Sequence, residues 1–437
     1  MDPVIGTVVN DLKGDEMEEK RVEHVGNEEF SNQRVPPSER KSMISLLTVS
    51  LGYVFVVTSM QVGGSIGVAM DFGQAVLAIF LSSIILAVLA CAMGVIAAKS
   101  GLTLGLLSKY SFGQAGTYVP IAIVVITTIG WFSIDAWLIG QSTNALFSSI
   151  PIIPVAILAG IGMTLTALRG LKWMTYLSNL AVPLIILFGI ISMVTAIRDS
   201  GGISAMLEIV QKDEMTFTKA VSLGVGSYAV GAVMFTPDIM RFAKKARTAV
   251  IAMVITMVIG NTFVVMFGAV GAVATGNPDI AYVLAAQGLL APSFAVLLLN
   301  IWSTAQGCVY SGSMSLSSVT RIKRPWLVIG FGVIGIIFAV IGFYDYFGAY
   351  INFLASMVPP LAGIFLADFL FSYQGGYPDI EEVKLPVINF AGFTAWIAGF
   401  LIAQIEFALP VVNAVLAAFL VKAVWGVVLK KLRKDKE

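Results

Sequence analysis

Long apolar runs dominate this sequence and constrain its fold more than any other feature. From Met43 onward, such runs alternate with short polar connections. A bilayer core about 30 Å thick requires roughly 20 apolar residues in a helix. We therefore predict twelve transmembrane helices, numbered 1 to 12 along the chain. Their predicted extents are 43–68, 73–98, 116–145, 152–168, 174–197, 217–240, 247–275, 288–317, 326–344, 348–371, 387–405 and 408–430.

The composition indicates that lipid rather than water is the solvent. Hydrophobic residues make up 57% of the chain and charged residues 12%, with a mean hydropathy of +0.89. Soluble domains carry about 25% charged residues. A net charge of +1 gives no reason to expect a nucleic-acid partner. The composition predicts an all-α integral membrane protein surrounded by membrane lipid.

Lys and Arg are concentrated in alternate connections. If the N-terminus is cytoplasmic, five of the six outward connections hold no Lys or Arg, and the exception is the 198–216 segment. Because basic residues accumulate on the cytoplasmic side, both termini are predicted to lie there, in a plasma or inner membrane. The Glu-rich residues 1–42 are predicted to form a disordered cytoplasmic tail, and residues 431–437 a second, short tail.

Helices 1 and 6 carry residues that disfavour a continuous helix. Helix 1 has polar and Gly residues at 50–53 and 58–64; helix 6 has Gly at 224, 226 and 231 and then Pro237. Carbonyls freed at such points face protein, water or an ion rather than lipid. Since these helices are five apart, the pair indicates two inverted five-helix repeats with a binding site at mid-membrane. Close packing through small residues is the alternative interpretation.

Helix 8 contains a polar patch in an otherwise apolar run. Asn300, Ser303 and Thr304 stand at i, i+3 and i+4, so they share one face of the helix. Their neutral oxygens suit a hard monovalent cation whose coordination is completed by helix 1 carbonyls. Hydrogen bonds from these hydroxyls to their own helix are the simpler explanation for any one of them.

Helix 3 places Thr128, Trp131 and Asp135 on one stripe. An indole can stack on a flat heterocycle, although a single Trp in a membrane helix also serves packing. A carboxylate within a span is rare and marks a functional site. Asp135 is therefore a candidate for substrate recognition, for proton transfer or for a hydrogen bond made in its protonated form.

The sequence offers few side chains that could act as catalytic nucleophiles, bases or metal ligands. The one histidine, His24, lies in the N-terminal tail, and Cys91 and Cys308 lie within apolar runs. The spans hold no metal-binding motif and no nucleophile–base pair, so we do not expect an enzyme. A passive channel remains an alternative, because interrupted helices also line pores.

Several motifs, in order, resemble the nucleobase:cation symporter-1 family and its cytosine permease branch. They include residues 130–132, 236–242 and 300–304, and Pro359-Pro360 followed by Ala367-Asp368. The resemblance extends from about Val35 to Leu429. It implies a LeuT-like fold in which 43–197 and 198–371 are inverted five-helix repeats, followed by two further helices in 372–430.

The resemblance also implies a site. A sodium ion would be held between helices 1 and 8 by backbone oxygens near Gly52 and Phe55 and by the side chains of Asn300, Ser303 and Thr304. The heterocycle would be contacted from helices 3 and 6 by Trp131, Tyr228, Ser227 and the backbone around Gly226.

Three positions depart from the cytosine permease pattern. Thr128 stands where these permeases carry Gln, Asp135 where they carry a small residue, and Gln306 follows the Ser-Thr pair in place of an Asn/Asp-rich stretch. Changed hydrogen-bonding groups alter discrimination between substrates strongly. The predicted substrate is thus a cytosine-like pyrimidine, a purine or a thiamine-precursor pyrimidine. Proton coupling through Asp135 is the alternative to sodium coupling.

Overall fold

The computed structural model describes residue 30 and residues 33–168, 171–209, 215–317, 319–320 and 322–434. Over these residues the regular structure is helical, and the one β-bridge is an isolated parallel pair between Lys41 and Ala243. The prediction of an all-α protein is confirmed.

Each predicted apolar run is helical. The first half of the chain forms α1 (Met43–Val54), α2 (Val57–Ala69), α3 (Phe72–Ser100), α4 (Leu104–Phe112), α5 (Tyr118–Leu146), α6 (Ile152–Ala167), α7 (Leu171–Asp199) and α8 (Ile203–Glu208). The second half forms α9 (Phe217–Val230), α10 (Thr236–Met240), α11 (Ala246–Val254), α12 (Thr262–Thr275), α13 (Ile280–Ala286), α14 (Leu290–Ser317), α15 (Arg324–Val340), α16 (Phe347–Met357), α17 (Pro359–Ala367), α18 (Phe390–Ile402) and α19 (Pro410–Lys434).

Shorter irregular turns join some of these helices into longer ones. A π-turn at Gly231–Phe235 joins α9 to α10, and another at Ile255–Asn261 joins α11 to α12. A 3₁₀ turn at Phe343–Tyr346 precedes α16, and a π-turn at Asp368–Ser372 follows α17. Predicted helices 6, 7 and 10 correspond to these composite spans.

Within the described residues, seven helices are long and apolar enough to cross a membrane, and the bent pair α1–α2 makes an eighth. The shorter apolar helices α6, α15 and α18 and the more polar α14 occupy the remaining predicted runs. The protein is therefore a multi-pass membrane protein, and the number of twelve crossings stays a prediction.

Helix 1 is broken between α1 and α2. Phe55 and Val56 leave the helical conformation, with Val56 extended (φ −122°, ψ 136°), and the two halves meet at a bend of 55°. The break lies between the two polar clusters of the sequence. Gly63, in the second cluster, has a different role: a Cβ there would lie 1.8 Å from the Val265 carbonyl oxygen. Gly63 therefore lets α2 pack directly on α12.

Helix 6 is interrupted in a milder way. Tyr228 leaves the helical region (φ −136°, ψ 16°), and the π-turn follows three residues later. Pro237 lies in the first turn of α10, directly after the π-turn, and the residue with non-helical φ and ψ is Tyr228. The kink is therefore at Tyr228, not at the proline.

The described end of the N-terminal tail is folded, contrary to the prediction of disorder through residue 42. Val35 is buried and donates its N–H to the Gly101 carbonyl at 3.0 Å. Arg40 donates to the carbonyls of Ala98 (2.6 Å) and Ala243 (2.7 Å). This segment ties the ends of α3 and α10 together. Residues 1–29, also predicted to be disordered, lie outside the described residues.

Candidate substrate and cation site

A cavity of about 180 Å³ lies where the break in helix 1 meets helices 3, 6 and 8. Seven of the residues predicted for the two binding sites line it together: Gly52, Trp131, Gly226, Ser227, Tyr228, Ser303 and Thr304. Residues from four helices that are far apart in sequence thus meet at one point, as the interrupted-helix interpretation requires.

Asn300 bridges the break from α14. Its side-chain Nδ2 donates to the Phe55 carbonyl at 2.7 Å, and its Oδ1 accepts from the Val57 N–H at 3.1 Å. Buried backbone groups in a bilayer must be paired within the protein. Asn300 therefore replaces helical hydrogen bonds lost at the break, and neither it nor Phe55 lies on the cavity surface.

The break also redirects the carbonyl groups at the end of α1. In a continuous helix the N–H groups of Val56 and Val57 would bond to the carbonyls of Gly52 and Tyr53. Instead, Val56 donates to Val54 at 2.9 Å and Val57 donates to Asn300. The Gly52 carbonyl loses its helical partner at the negative end of the α1 dipole, next to the cavity. Such carbonyls favour a cation.

The two hydroxyls on α14 are oriented suitably for the same ion. Ser303 Oγ donates to the Asn300 carbonyl at 3.0 Å, and Thr304 Oγ1 donates to the same carbonyl at 2.9 Å. With their protons engaged in this way, each oxygen presents lone pairs to the cavity. The donor set is composed of neutral oxygens, which fits a hard monovalent cation.

Trp131 forms one wall of the cavity and is held from behind. Its ring makes edge contacts with Tyr350, at 5.6 Å between ring centroids, and with Phe347, at 6.4 Å. Tyr350 donates its hydroxyl to the Thr127 carbonyl at 2.9 Å. Gly130 permits this approach, because a Cβ there would lie 2.4 Å from the Tyr350 ring. The Gly-Trp pair therefore fixes the indole between helix 10 and the cavity.

Helix 6 supplies the other wall at its kink. The Tyr228 ring covers Gly231, where a Cβ would lie 2.2 Å from it, and Gly226 packs against the Ile351 carbonyl. Ser227 Oγ donates to the Gly224 carbonyl at 2.7 Å, so its lone pairs are the groups available to a ligand. A flat ring between Trp131 and Tyr228 would meet a hydrogen-bond acceptor at its edge.

Thr128, Asp135 and Gln306 do not line the cavity. Thr128 donates to the Cys308 carbonyl at 3.2 Å and packs on Gly312, which joins α5 to α14. Asp135 and Gln306 are almost fully buried, and their polar side-chain atoms have no hydrogen-bond partner among the described residues.

Ten cavity-lining residues were not named as site residues from the sequence, among them Tyr53, Thr58, Phe235 and Cys308. Cys308 stands at i+4 from Thr304, so the helical spacing could have identified it. Tyr53 and Phe235 contact each other across the cavity, at 6.3 Å between ring centroids. That pairing depends on the kink in helix 6, for which the sequence gives no exact position.

The cavity opens toward the N-terminal end of α1. Thr48 and Val49 of α1 line it and are exposed, whereas α16 closes the opposite side behind Trp131. On that closed side Gln61 Oε1 of α2 accepts from the Ile280 N–H of α13 at 3.3 Å. The described conformation is therefore accessible from one side of the bundle.

The family model for permeases of cytosine/purines, uracil, thiamine and allantoin matches residues 34–427. The chain belongs to this family. The cytosine permease of Escherichia coli strain K12 is 32% identical over 395 residues, which cover 90% of this chain and 92% of that protein. The prediction that the protein is a membrane transporter and not an enzyme is confirmed.

Solved structures agree on the fold. Mhp1 in its inward-facing conformation matches with a TM-score of 0.81 at 20% identity, covering 92% of this chain and 94% of Mhp1. Closed Mhp1, a nucleobase-cation-symport-1 family transporter with bromovinylhydantoin bound, gives 0.75 at 19% identity, covering 91% and 95%. A Na⁺-coupled sialic acid symporter gives 0.64 at 12% identity, covering 92% of each chain. The predicted LeuT-like fold is confirmed.

Proposed function

We propose that this permease imports a nucleobase or a related small heterocycle by sodium symport with alternating access. The observation that carries the proposal is the break in helix 1, where Gly52 lines the same cavity as Ser303 and Thr304, with Trp131 and Tyr228 as its walls. An ion and a flat ring would then occupy adjacent places at mid-membrane.

Sodium is the ion that this donor set favours. The Gly52 carbonyl and the two α14 hydroxyls are neutral, and no carboxylate lines the described cavity. These groups hold an ion between α1 and α14, so binding would fix the distance between the two helices. Each ligand would then bind more tightly in the presence of the other, by the same factor.

The substrate is proposed to stack between Trp131 and Tyr228, with Ser227 and the backbone at Gly226 at its edge. Relatives named for cytosine and for hydantoin transport support a small, flat, polar ring. We propose that Thr128, Asp135 and Gln306 tune which ring is accepted. Because they lie behind the wall in this conformation, direct contact requires the rearrangement that opens the closed side.

We further propose that the open side faces the cytoplasm. The distribution of basic residues predicts that the start of α1 lies there, and the described conformation would then release substrate inward. Opening of the α16 side and closing of the α1 side would then give outward access around a fixed site.

The test is uptake into proteoliposomes. Labelled cytosine, uracil, hypoxanthine and hydroxymethylpyrimidine are offered with inward sodium or choline gradients at fixed pH. Accumulation with sodium and its loss with choline are expected. Accumulation that persists in choline would overturn sodium coupling, and equilibration without accumulation would indicate a channel.

Proton coupling is the second candidate, because the buried Asp135 carboxyl has no hydrogen-bond partner within the described part of the chain. It predicts accumulation driven by a pH gradient in choline that is abolished in Asp135→Asn. Sodium symport predicts that this variant keeps its sodium dependence.

The two cysteines allow a direct test of occupancy. Cys308 lines the cavity, and Cys91 does not. In a Cys91→Ser background, a small thiol reagent added from the open side should label Cys308, and the transported heterocycle should protect it. Labelling unaffected by any transported substrate would place the substrate elsewhere.

A further inference from the structure

A second cleft lies on the outside of the bundle, between α3 and the end of helix 10. Its walls are apolar and include Ala92 and Val95 of α3 and Leu366 and Phe369 of helix 10. Both helices are membrane-spanning segments, so the cleft opens toward lipid. It is separate from the central cavity, with which it shares no lining residue.

The cleft follows from two features of the sequence. Small side chains at Cys91 and Ala92 leave the α3 surface shallow at this level. Opposite them, Asp368 in the π-turn of helix 10 is bound to Lys422 of α19 at 3.1 Å, which fixes this turn against α19 on its other side. The gap between α3 and helix 10 is therefore part of the packed structure.

One end of the cleft carries a positive charge. Lys99, in the last turn of α3, lines the cleft, is exposed, and places its Nζ 5.6 Å from the centroid of the Phe369 ring. Among the described residues no carboxylate lies within ion-pair distance of it. The positive-inside distribution predicts that this end of α3 lies at the cytoplasmic headgroup level.

We propose that this cleft binds one anionic phospholipid of the cytoplasmic leaflet. One acyl chain of this lipid lies between Ala92 and Val95 on one wall and Leu366 and Phe369 on the other. The phosphate lies at Lys99, whose stem follows the apolar wall while its ammonium reaches the interface. Basic residues at the cytoplasmic end of a cleft between spans attract anionic headgroups in this way.

The charge of Lys99 distinguishes this proposal from unspecific contact with bulk lipid. A cleft that merely accommodates acyl chains would accept phosphatidylcholine and phosphatidylglycerol equally. A single Lys at the surface favours an anionic lipid by about fivefold.

The experiment is lipid retention by purified, delipidated full-length protein, measured by native mass spectrometry with equimolar phosphatidylglycerol and phosphatidylcholine of the same chain length. Wild type should retain about fivefold more phosphatidylglycerol in its first bound position. Lys99→Gln should lose this preference. Lys109→Gln is the matched control, since Lys109 is also basic and predicted to be cytoplasmic but lies outside the cleft, and it should keep the preference.

A second variant tests the apolar part of the site. Ala92→Phe fills the cleft from the lipid-facing side and should reduce retention of both lipids. A preference that survives in Lys99→Gln, or that is lost equally in Lys109→Gln, would overturn the proposal. So would unchanged retention of phosphatidylglycerol by Ala92→Phe.

Discussion

Asn300 and Phe55 are joined across the break in helix 1 by a hydrogen bond of 2.7 Å from the side-chain amide to the backbone carbonyl. The same side chain accepts from the Val57 N–H, so one residue of α14 pairs groups on both sides of the break. It was predicted as a sodium ligand. Its contacts show a structural role next to the proposed ion site.

Asn300→Ala should therefore destabilise the protein as well as weaken ion binding. It leaves a buried acceptor and a buried donor unpaired, each at a cost of about 1–3 kcal/mol. The measurement is the thermal unfolding temperature in detergent, with and without sodium. A variant that unfolds at the wild-type temperature would show that the break does not need this bridge.

Ser303→Ala and Thr304→Ala should raise the sodium concentration required for transport. Each removes an oxygen that lines the same cavity as Gly52 of α1, and loss of about 1.4 kcal/mol corresponds to a tenfold weaker ion affinity. Sodium titration of substrate binding measures the effect. Ser293→Ala is the control, because Ser293 lies on the same helix, bonds back to Leu289 and does not line the cavity. An unchanged sodium requirement in both variants would move the ion site elsewhere.

Trp131→Ala should weaken the affinity for substrate, and it should do so more than Trp131→Phe. Stacking of a base on an aromatic ring contributes about 1–3 kcal/mol, which corresponds to roughly 5- to 150-fold in affinity. Trp131→Phe keeps an aromatic face and should retain part of the affinity. Calorimetric titration with the transported substrate measures both, and the exposed Trp326 provides a control in Trp326→Ala. Equal affinity in wild type and Trp131→Ala would exclude stacking.

The sequence located the interruption of helix 1 approximately because polar and small residues within an apolar run are visible without any structure. It could not locate the bend at Phe55–Val56, which are apolar residues. Their conformation depends on Asn300, 245 positions away. The same local signal assigns Gly63 and Gly64 to the break, whereas in the structure they serve the packing of α2 on α12 and on residue 278.

The stripe on helix 3 shows a second limit. Trp131 and Asp135 are close in helical angle, so the sequence placed both at the site. In the structure, α14 packs over the α5 surface that carries Thr128, while Trp131 remains at the edge of that contact and reaches the cavity. Which part of a polar stripe faces a cavity is decided by helix packing, and a single sequence does not specify it.

Asp279, at the closed side of the cavity, should make the free energy of unfolding depend on pH. Its Oδ1 caps α13 by accepting from the N–H groups of Ala281 (2.8 Å) and Tyr282 (3.4 Å), while the side chain is 5% exposed. Burial raises its pKa from 3.8 to about 6, and hydrogen bonds from α13 and Gln141 oppose this less strongly. Tyr344 is the other titratable group that faces it.

The sign follows from proton binding. Between pH about 4 and 6 the folded protein holds more protons at Asp279 than the unfolded chain, so this contribution to stability is greatest below pH 4 and is lost as the pH rises through 6. Asp279→Asn keeps the capping oxygen and cannot ionise. As the pH rises from 4.5 to 7, the unfolding temperature of wild type should fall relative to that of Asp279→Asn. A difference that is constant over this range would contradict the assignment.

The buried pair of Asp368 and Lys422 should behave as a coupled unit. The two side chains are 3% exposed and 3.1 Å apart, and Lys422 also donates to the Ser111 carbonyl at 3.1 Å while Ser372 donates to Asp368 at 2.7 Å. Lys422→Met leaves an unpaired carboxylate in a dry environment and should cost about 3–5 kcal/mol. Asp368→Asn combined with Lys422→Met removes both charges and should recover most of that loss, because a buried pair gains little over well-packed neutral residues. Thermal unfolding of the two single variants and the double variant measures this coupling, and additive losses would mean that the two charges act independently at the junction of helix 10 and α19.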